Sequence, residues 1–219
     1  PHMVPGADQF AAQVSALGIG AENSVVVYDD SGVWSAARVR WLLRAMGLTR
    51  VAGLDGGLRK WLAEGRASTT DTAEPHPAKL TARMDMNLGR DAAQVLQATT
   101  DAHIQIVDAR APERFRGEAP EPRAGLSSGH IPGSRNVCFK ALLNDDGTLK
   151  PDADLRRAFE QAGVDLKKPV ITSCGSGVTA SVLCLALEKL GHCDLSVYDG
   201  SWTEWGQNAD LPLETGEAD

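Results

Sequence analysis

This chain contains a long internal repeat, and the repeat limits the possible folds more than any other feature of the sequence. The two copies lie at residues 24–65 and 169–207. When Ser31 of the first copy is aligned with Ser176 of the second, the loop, the helix-like run and its closing glycine also align. A one-residue slip then aligns the two Asp-Gly turns and the tryptophans that follow them. A shared offset of this length indicates duplication of a structural unit.

Each copy reads as helix, strand, tight loop, helix, short strand, Asp-Gly turn and helix. Alternation of strands and helices predicts an α/β fold with a mainly parallel sheet flanked by helices. Ligand sites in such sheets lie beyond the carboxyl ends of the strands, where Asp29 and Cys174 fall. The helical spacing of the first copy is carried by Val39, Leu42, Leu43 and Met46.

The two copies differ in what precedes them. About 65 residues from Asn87 onward come before Pro151 of the second copy, and they include a strand-like run, IQIVD, and a turn, GHIPGS. Only four residues come before Pro5, the matching position of the first copy. We therefore expect roughly 60 residues of the first domain to lie ahead of residue 1. The expected parts are a partial first domain at 1–65, a linker at 66–86 and a second domain at 87–219.

The composition excludes several functional classes. With 42% hydrophobic and 23% charged residues the chain should be globular. A net charge of −7 argues against nucleic acid or an anionic membrane as the main partner. The cysteines have neither CxxC pairs nor zinc-ligand spacing, so we expect no metal and reduced thiols in a cytoplasmic protein. They are Cys138, Cys174, Cys184 and Cys193.

The stretch VITSCGSGVTASV, residues 170–182, predicts a reactive cysteine. A strand leads into Cys174, and glycines on its far side let successive backbone N–H groups turn inward. A helix starting near Thr179 would direct the positive end of its dipole at the loop, and both effects favour a thiolate nucleophile. The alternative is a small core residue beside a tight turn. We expect that packing role for Cys184, inside a helix, and for the two remaining cysteines.

The segments CGSGVTA (174–180), GHIPGS and DGSWTEW, together with the paired halves, resemble the tandem rhodanese-family sulfurtransferases. The resemblance implies two rhodanese-like domains, the first with an inactive loop, where Asp29 stands in place of Cys174. It also implies a persulfide on Cys174, transfer of its sulfur to a thiol or cyanide acceptor such as thioredoxin, and no metal or organic cofactor. The opening PHM resembles a native segment of the family's first domain.

The loop after the cysteine bears on the sulfur donor. Thiosulfate-specific relatives typically carry basic residues there, whereas this chain has the neutral Gly175 and Ser176. The resemblance therefore implies 3-mercaptopyruvate as donor, with pyruvate released. Thiosulfate:cyanide sulfurtransferase remains the alternative enzyme, and a non-catalytic sulfur-carrier or binding module is a third hypothesis. A related phosphatase branch needs Arg six positions after the cysteine, where this chain has Ala180.

Residues 108–125 form a Pro- and Gly-rich segment, read as a loop, that carries four arginines. An arginine can bind a carboxylate through two parallel hydrogen bonds. The same arginines could instead pair with the glutamates of this loop. The resemblance implies that Arg114 and Arg123 bind the carboxylate and keto oxygen of the donor. Arg110 is expected to be structural and Arg116 exposed.

The remaining site residues also follow from the resemblance. Cys174 and Ser176 are the expected catalytic residues, and the family's Ser–His–Asp relay would include Ser176. Its His and Asp would lie ahead of residue 1. His130, in the GHIPGS turn, is expected to be a hydrogen-bonded turn residue and not a base. The expected substrate-binding residues are Arg114, Arg123, Gly175, Gly177, Val178 and Thr179.

Overall fold

The computed structural model describes residues 2–217, which fall into two compact units. The smaller unit comprises Val4–Met86 and the short segment Asp145–Thr148. The larger unit comprises the residues up to Met3, then Asn87–Asn144, and the chain from Leu149 onward. The segment 66–86 contains no helix or strand and belongs to the smaller unit.

The smaller unit has a two-stranded parallel sheet, in which Val25 pairs with Val51. Three successive valines suit a strand because β-branched side chains pack well on a pleated surface. Leu80 of the 66–86 segment is 7% exposed and packs in the same core as Phe10 and Leu43. The elements are α1 (Ala7–Ala16), β1 (Val25–Val27), α2 (Trp34–Ala45), β2 (Val51–Gly53) and α3 (Gly57–Ala63).

The larger unit contains a five-stranded, all-parallel sheet with the order β3-β7-β6-β4-β5. Its central strand is buried at every residue, as expected for a parallel sheet covered on both faces. The α/β architecture with parallel sheets is therefore confirmed. The strands are β3 (Gly89–Arg90), β4 (Gln105–Asp108), β5 (Arg135–Asn136), β6 (Val170–Ser173) and β7 (Leu195–Tyr198).

Helices flank this sheet, and their bounds are set by local sequence. Asp91 caps the first one, and its side chain and that of Gln94 form a reciprocal capping box. Pro112 starts a one-turn helix within 108–125. The expectation that this whole segment is a loop is therefore wrong. Within residues 2–217, no helix is long and apolar enough to cross a membrane. The helices are α4 (Ala92–Ala98), α5 (Pro112–Phe115), α6 (Asp152–Gln161), α7 (Ala180–Lys189) and α8 (Ser201–Trp205), with a 3-10 turn at Phe139–Leu142.

The core of the larger unit fixes α8 against the sheet. Trp202 and Trp205 of this helix are 0% and 1% exposed and pack with Tyr198 and Ile106. Burying a side chain of this size stabilises the fold by roughly 1.5–3 kcal/mol. Because α8 is anchored in this way, its amino end is held next to the loop that follows β6. Cys184 is buried inside α7, as predicted.

Candidate active site

Cys174 comes directly after β6 and lies at the wall of a cavity of about 230 Å³. The residue is only 2% exposed, so the sulfur is reached through the cavity and not from the open surface. The amide of Ser176 donates a hydrogen bond to Cys174 Sγ over 3.4 Å. The loop ends where α7 begins at Ala180, one residue after the predicted start.

The cysteine loop is held from behind by Ser201, at the start of α8. Ser201 Oγ accepts hydrogen bonds from the amides of Cys174, at 3.2 Å, and Gly177, at 3.0 Å. The same hydroxyl donates to the carbonyl of Tyr198. Ser201 is fully buried and has a φ of +50°, a left-handed conformation that is unfavourable for a residue with a Cβ atom.

The sequence predicted that successive backbone N–H groups of the loop turn inward to the sulfur, and the structure differs from this. Gly177 was expected to contact the substrate, but its amide turns to Ser201, and the residue does not line the cavity. Gly175, Val178 and Thr179 do line it, and within residues 2–217 their amides have no acceptor. One amide therefore binds the sulfur itself. Three more belong to residues that line the cavity.

His2 is brought to the site, which the sequence did not lead us to expect. Its Nδ1 lies 2.9 Å from Ser176 Oγ, within the larger unit. We expected the histidine partner of this serine ahead of residue 1, and this expectation is wrong for the histidine. The signal was present in the opening PHM, but no spacing rule connects residues separated by more than 170 positions. Ser176, which lines the cavity together with Cys174, is thus in contact with a histidine.

Arg114 and Arg123, both predicted to bind the substrate, line the same cavity. Arg114 is held by Glu121, whose Oε2 accepts from Nη2 at 2.6 Å and whose Oε1 accepts from Nε at 3.2 Å. Arg123 donates to the hydroxyl of Thr203, which in turn donates to the carbonyl of Gly175. The two guanidinium groups therefore occupy fixed positions on the side of the cavity formed by residues 114–126.

Arg110 is a buried structural residue, as expected. It is 2% exposed, forms a salt bridge of 2.7 Å with Asp108 and another of 2.9 Å with Glu121, and lies 4.4 Å over the Trp202 ring. Burial acts to lower the pKa of Arg110, but the charges and hydrogen bonds of the two carboxylates outweigh it and raise the pKa above its usual value. The guanidinium is therefore charged at every pH at which the protein is folded. Arg116, expected to be exposed, is partly buried and pairs with Glu118.

His130 is a structural residue of its turn and not a member of the cavity lining. The side chain is 1% exposed, and its Nδ1 lies 2.8 Å from the carbonyl oxygen of Phe115. Its ring stacks on the Phe115 ring with centroids 3.8 Å apart. This geometry agrees with the expectation that His130 is a hydrogen-bonded turn residue and not a base.

The matching loop of the smaller unit carries Asp29 at the position of the cysteine. Its carboxylate accepts hydrogen bonds from the Ser31 amide at 2.9 Å, the Ser35 hydroxyl at 3.0 Å and the Ala36 amide at 2.8 Å. The Asp29 carboxylate itself accepts the hydrogen bonds that this loop could offer to an anion. The loop therefore has no cysteine nucleophile, and fewer of its N–H groups remain for an external anion.

Three residues that the sequence did not single out shape the site. Glu121 holds Arg114, Ser201 holds the cysteine loop, and Thr203 links the loop to Arg123. Two of them belong to the segment DGSWTEW, which was used only as a family signature. The third lies among several loop glutamates with no feature that distinguishes it.

A buried cysteine in an amide-lined loop at the carboxyl end of a parallel sheet defines a class of protein, an α/β protein built to hold a nucleophilic sulfur. The rhodanese-like domain family matches residues 2–64 and 91–208. The chain belongs to this family.

Named relatives lie within the same family. The chain is 42% identical over 210 residues to 3-mercaptopyruvate sulfurtransferase of Homo sapiens, covering 95% of this chain and 71% of that protein. It is 41% identical over 239 residues to thiosulfate/3-mercaptopyruvate sulfurtransferase 1, a mitochondrial protein of Arabidopsis thaliana, spanning 63% of that protein's length.

A solved structure has the same architecture. The crystal structure of SseA from Escherichia coli, described as a 3-mercaptopyruvate sulfotransferase with the rhodanese fold, superposes with a TM-score of 0.83 at 37% identity. The superposition covers 92% of this chain and 75% of that one.

Proposed function

We propose that this chain is a sulfurtransferase that takes sulfur from 3-mercaptopyruvate onto Cys174 and passes it to a thiol or cyanide. One observation carries the proposal: Cys174 Sγ and two arginines line a single cavity of about 230 Å³. A thiolate is the sulfur nucleophile, and arginine is suited to a carboxylate, so the cavity can hold an acidic sulfur donor.

Binding begins with the carboxylate and keto oxygen of the donor. Arg123 is directed by Thr203 and Arg114 by Glu121, so both guanidinium groups are placed before the donor arrives. Guanidinium groups that are already in position lose little conformational entropy when the sulfur donor binds. The donor's sulfur would then lie towards Cys174, which lines the same cavity.

In the first transfer, the Cys174 thiolate attacks the sulfur of 3-mercaptopyruvate. A sulfur–sulfur bond forms, and the carbon–sulfur bond breaks with its electron pair passing to carbon. The thiol hydrogen of the donor ends on that carbon, which gives pyruvate and leaves an anionic persulfide on Cys174. In this proposal Ser176 and His2 carry the proton, which their contact of 2.9 Å supports, and the amides of Gly175, Val178 and Thr179 stabilise the anionic sulfur.

In the second transfer, an acceptor attacks the outer sulfur of the persulfide and regenerates the Cys174 thiolate. A small thiol, a thioredoxin-type dithiol or cyanide has the necessary nucleophilicity. The route requires no metal or organic cofactor. Four free thiols at Cys138, Cys174, Cys184 and Cys193 support our further proposal of a reducing, cytoplasmic location.

Thiosulfate is the alternative donor, supported by the double name of the Arabidopsis relative. The neutral side chains at Gly175 and Ser176 favour the mercaptopyruvate route, because a dianion is better met by basic residues beside the sulfur. A non-catalytic sulfur-carrier or binding module is the third possibility. A binding module predicts no persulfide, and a sulfur carrier predicts a persulfide without release of pyruvate from 3-mercaptopyruvate. Comparing kcat/KM for the two donors separates the two enzymes.

The experiment is an intact-mass measurement after incubation with 3-mercaptopyruvate. The protein should gain about 32 Da, the mass of one sulfur atom, as the persulfide forms. Cys174→Ser should abolish the gain, and Cys138→Ser, which alters a thiol outside the cavity lining, should keep it. A mass gain in Cys174→Ser would refute the assignment of the nucleophile.

A further inference from the structure

We infer that Glu121 sets the charge of the cavity for a donor with a single negative charge, and so acts as a specificity-determining residue. The inference rests on the proposed sulfur transfer and concerns the choice between donors. Besides the nucleophile Cys174, which faces either sulfur donor, the charged side chains that line the cavity among residues 2–217 are Arg114, Arg123 and Glu121. Without the sulfur, these two positive charges and one negative charge give the lining a net charge of +1.

Glu121 is not a surface carboxylate that happens to be near. Its side chain is 1% exposed, and both oxygens are engaged by arginines. Oε1 accepts from Arg110 at 2.9 Å, and Oε2 accepts from Arg114 at 2.6 Å. A carboxylate that two arginines hold in this way keeps a fixed position in the cavity wall.

The wider cluster leads to the same charge. Arg110, which pairs with Glu121, also forms a salt bridge of 2.7 Å with Asp108, so the charges of Arg110 and Asp108 cancel. Three arginines against two carboxylates again leave +1. A monocarboxylate such as 3-mercaptopyruvate is neutralised by this charge, whereas thiosulfate carries a second negative charge that meets the Glu121 carboxylate.

Glu121 also limits how Arg114 can bind. Nε and Nη2 both donate to Glu121, which uses the side edge of the guanidinium. The end of the group, including Nη1, remains for the donor. Arg114 therefore keeps the pair of N–H groups at its end, which suits one carboxylate.

The test compares donor preference in Glu121→Gln and in the wild-type protein. The substitution removes one negative charge at nearly constant shape. A dianion gains twice as much as a monoanion, so the ratio of kcat/KM for thiosulfate to that for 3-mercaptopyruvate should rise about fivefold. Glu118→Gln changes the total charge equally, on an exposed residue outside the cavity, and should leave the ratio unchanged.

A second variant separates charge from geometry. Glu121→Asp keeps the charge but is too short to hold Arg110 and Arg114 together, so both rates should fall while the donor ratio stays constant. An unchanged ratio in a folded Glu121→Gln protein would overturn the inference. A kcat/KM ratio that shifts towards thiosulfate in Glu121→Asp would also overturn the inference, and this outcome can be measured even if Glu121→Gln does not fold. Failure of the wild-type protein to form a persulfide from either donor would instead overturn the proposed function.

Discussion

Ser201 Oγ lies 3.0 Å from the amide nitrogen of Gly177 and 3.2 Å from that of Cys174, so one hydroxyl holds two points of the cysteine loop. The backbone at Ser201 takes a φ of +50° where its hydroxyl makes these contacts. The carbonyl of Cys174 is held from the same side by the amide of Trp202. The buried start of α8 therefore fixes the shape of the loop that presents the sulfur.

Ser201→Ala should lower the free energy of unfolding by about 1–3 kcal/mol, because two buried amides lose their acceptor. Ser201→Gly loses the same hydroxyl but relieves the left-handed backbone, so it should be about 1 kcal/mol more stable than the alanine variant. Urea denaturation measures both. Ser127→Ala, at an exposed position, is the control and should be neutral.

The same two variants should slow alkylation of Cys174 by iodoacetamide, since the loop amides are no longer held in place. Unchanged stability and alkylation in Ser201→Ala would show that the loop keeps its shape without the Ser201 hydroxyl.

His2 should contribute to sulfur uptake through its contact with Ser176. The side chains are 2.9 Å apart, close enough for proton exchange between ring and hydroxyl. His2→Ala should slow pyruvate release from 3-mercaptopyruvate on the order of 10²-fold, the usual contribution of a positioned proton carrier. Stopped-flow measurement of the first turnover isolates this step.

His103→Ala is the matched control, because it removes an exposed imidazole outside the cavity lining. Ser176→Ala should behave like His2→Ala if the two act as a pair, and the double variant should then be no slower than either one. Additive losses in the double variant would contradict a shared role.

Much of the site follows from local sequence. Val170–Ser173 is a strand and Ala180 starts a helix, because β-branched residues favour a strand and the run after the glycines is long enough for a buried helix. Cys174 then falls at the carboxyl edge of a parallel sheet by topology alone. The strand expected in IQIVD is likewise found at Gln105–Asp108.

The contacts that tune the site could not be predicted in this way. Arg114 and Glu121 are close in sequence, but the choice of Glu121 among the loop glutamates depends on burial against Arg110. The left-handed Ser201 is stabilised by tertiary hydrogen bonds that override its local preference. His2 reaches Ser176 only because residues far apart in the chain fold into one unit.

Arg110 should matter for stability more than any exposed arginine of the same segment. Arg110→Met would leave the buried Asp108 carboxylate without its ion-pair partner, which costs about 3–5 kcal/mol. Because the pKa of Arg110 is raised above its usual value, mainly by Asp108 acting against burial, this contribution should not vary with pH through titration of the arginine.

Tryptophan fluorescence during urea unfolding reports this region, since Arg110 stacks over Trp202. Arg116→Met is the control, and the loss of its pair with exposed Glu118 should cost much less than the loss of the buried pair. Equal losses in the two variants would show that the buried pair adds nothing beyond a surface one.

Asp29 should stabilise the smaller unit without taking part in sulfur transfer. Its carboxylate accepts from the amide of Ala36, in the first turn of α2, whose own N-cap residue Val33 has no capping side chain. Asp29→Ala should therefore cost about 0.5–2 kcal/mol, the usual loss for a removed helix cap. Hydrogen exchange at the Ser31 and Ala36 amides should become faster, while the mass gain of Cys174 should persist.

Asp30→Ala is the control, because it removes an acceptor for the Ser31 hydroxyl. A loss of the persulfide in Asp29→Ala but not in Asp30→Ala would show that this loop takes part in sulfur transfer.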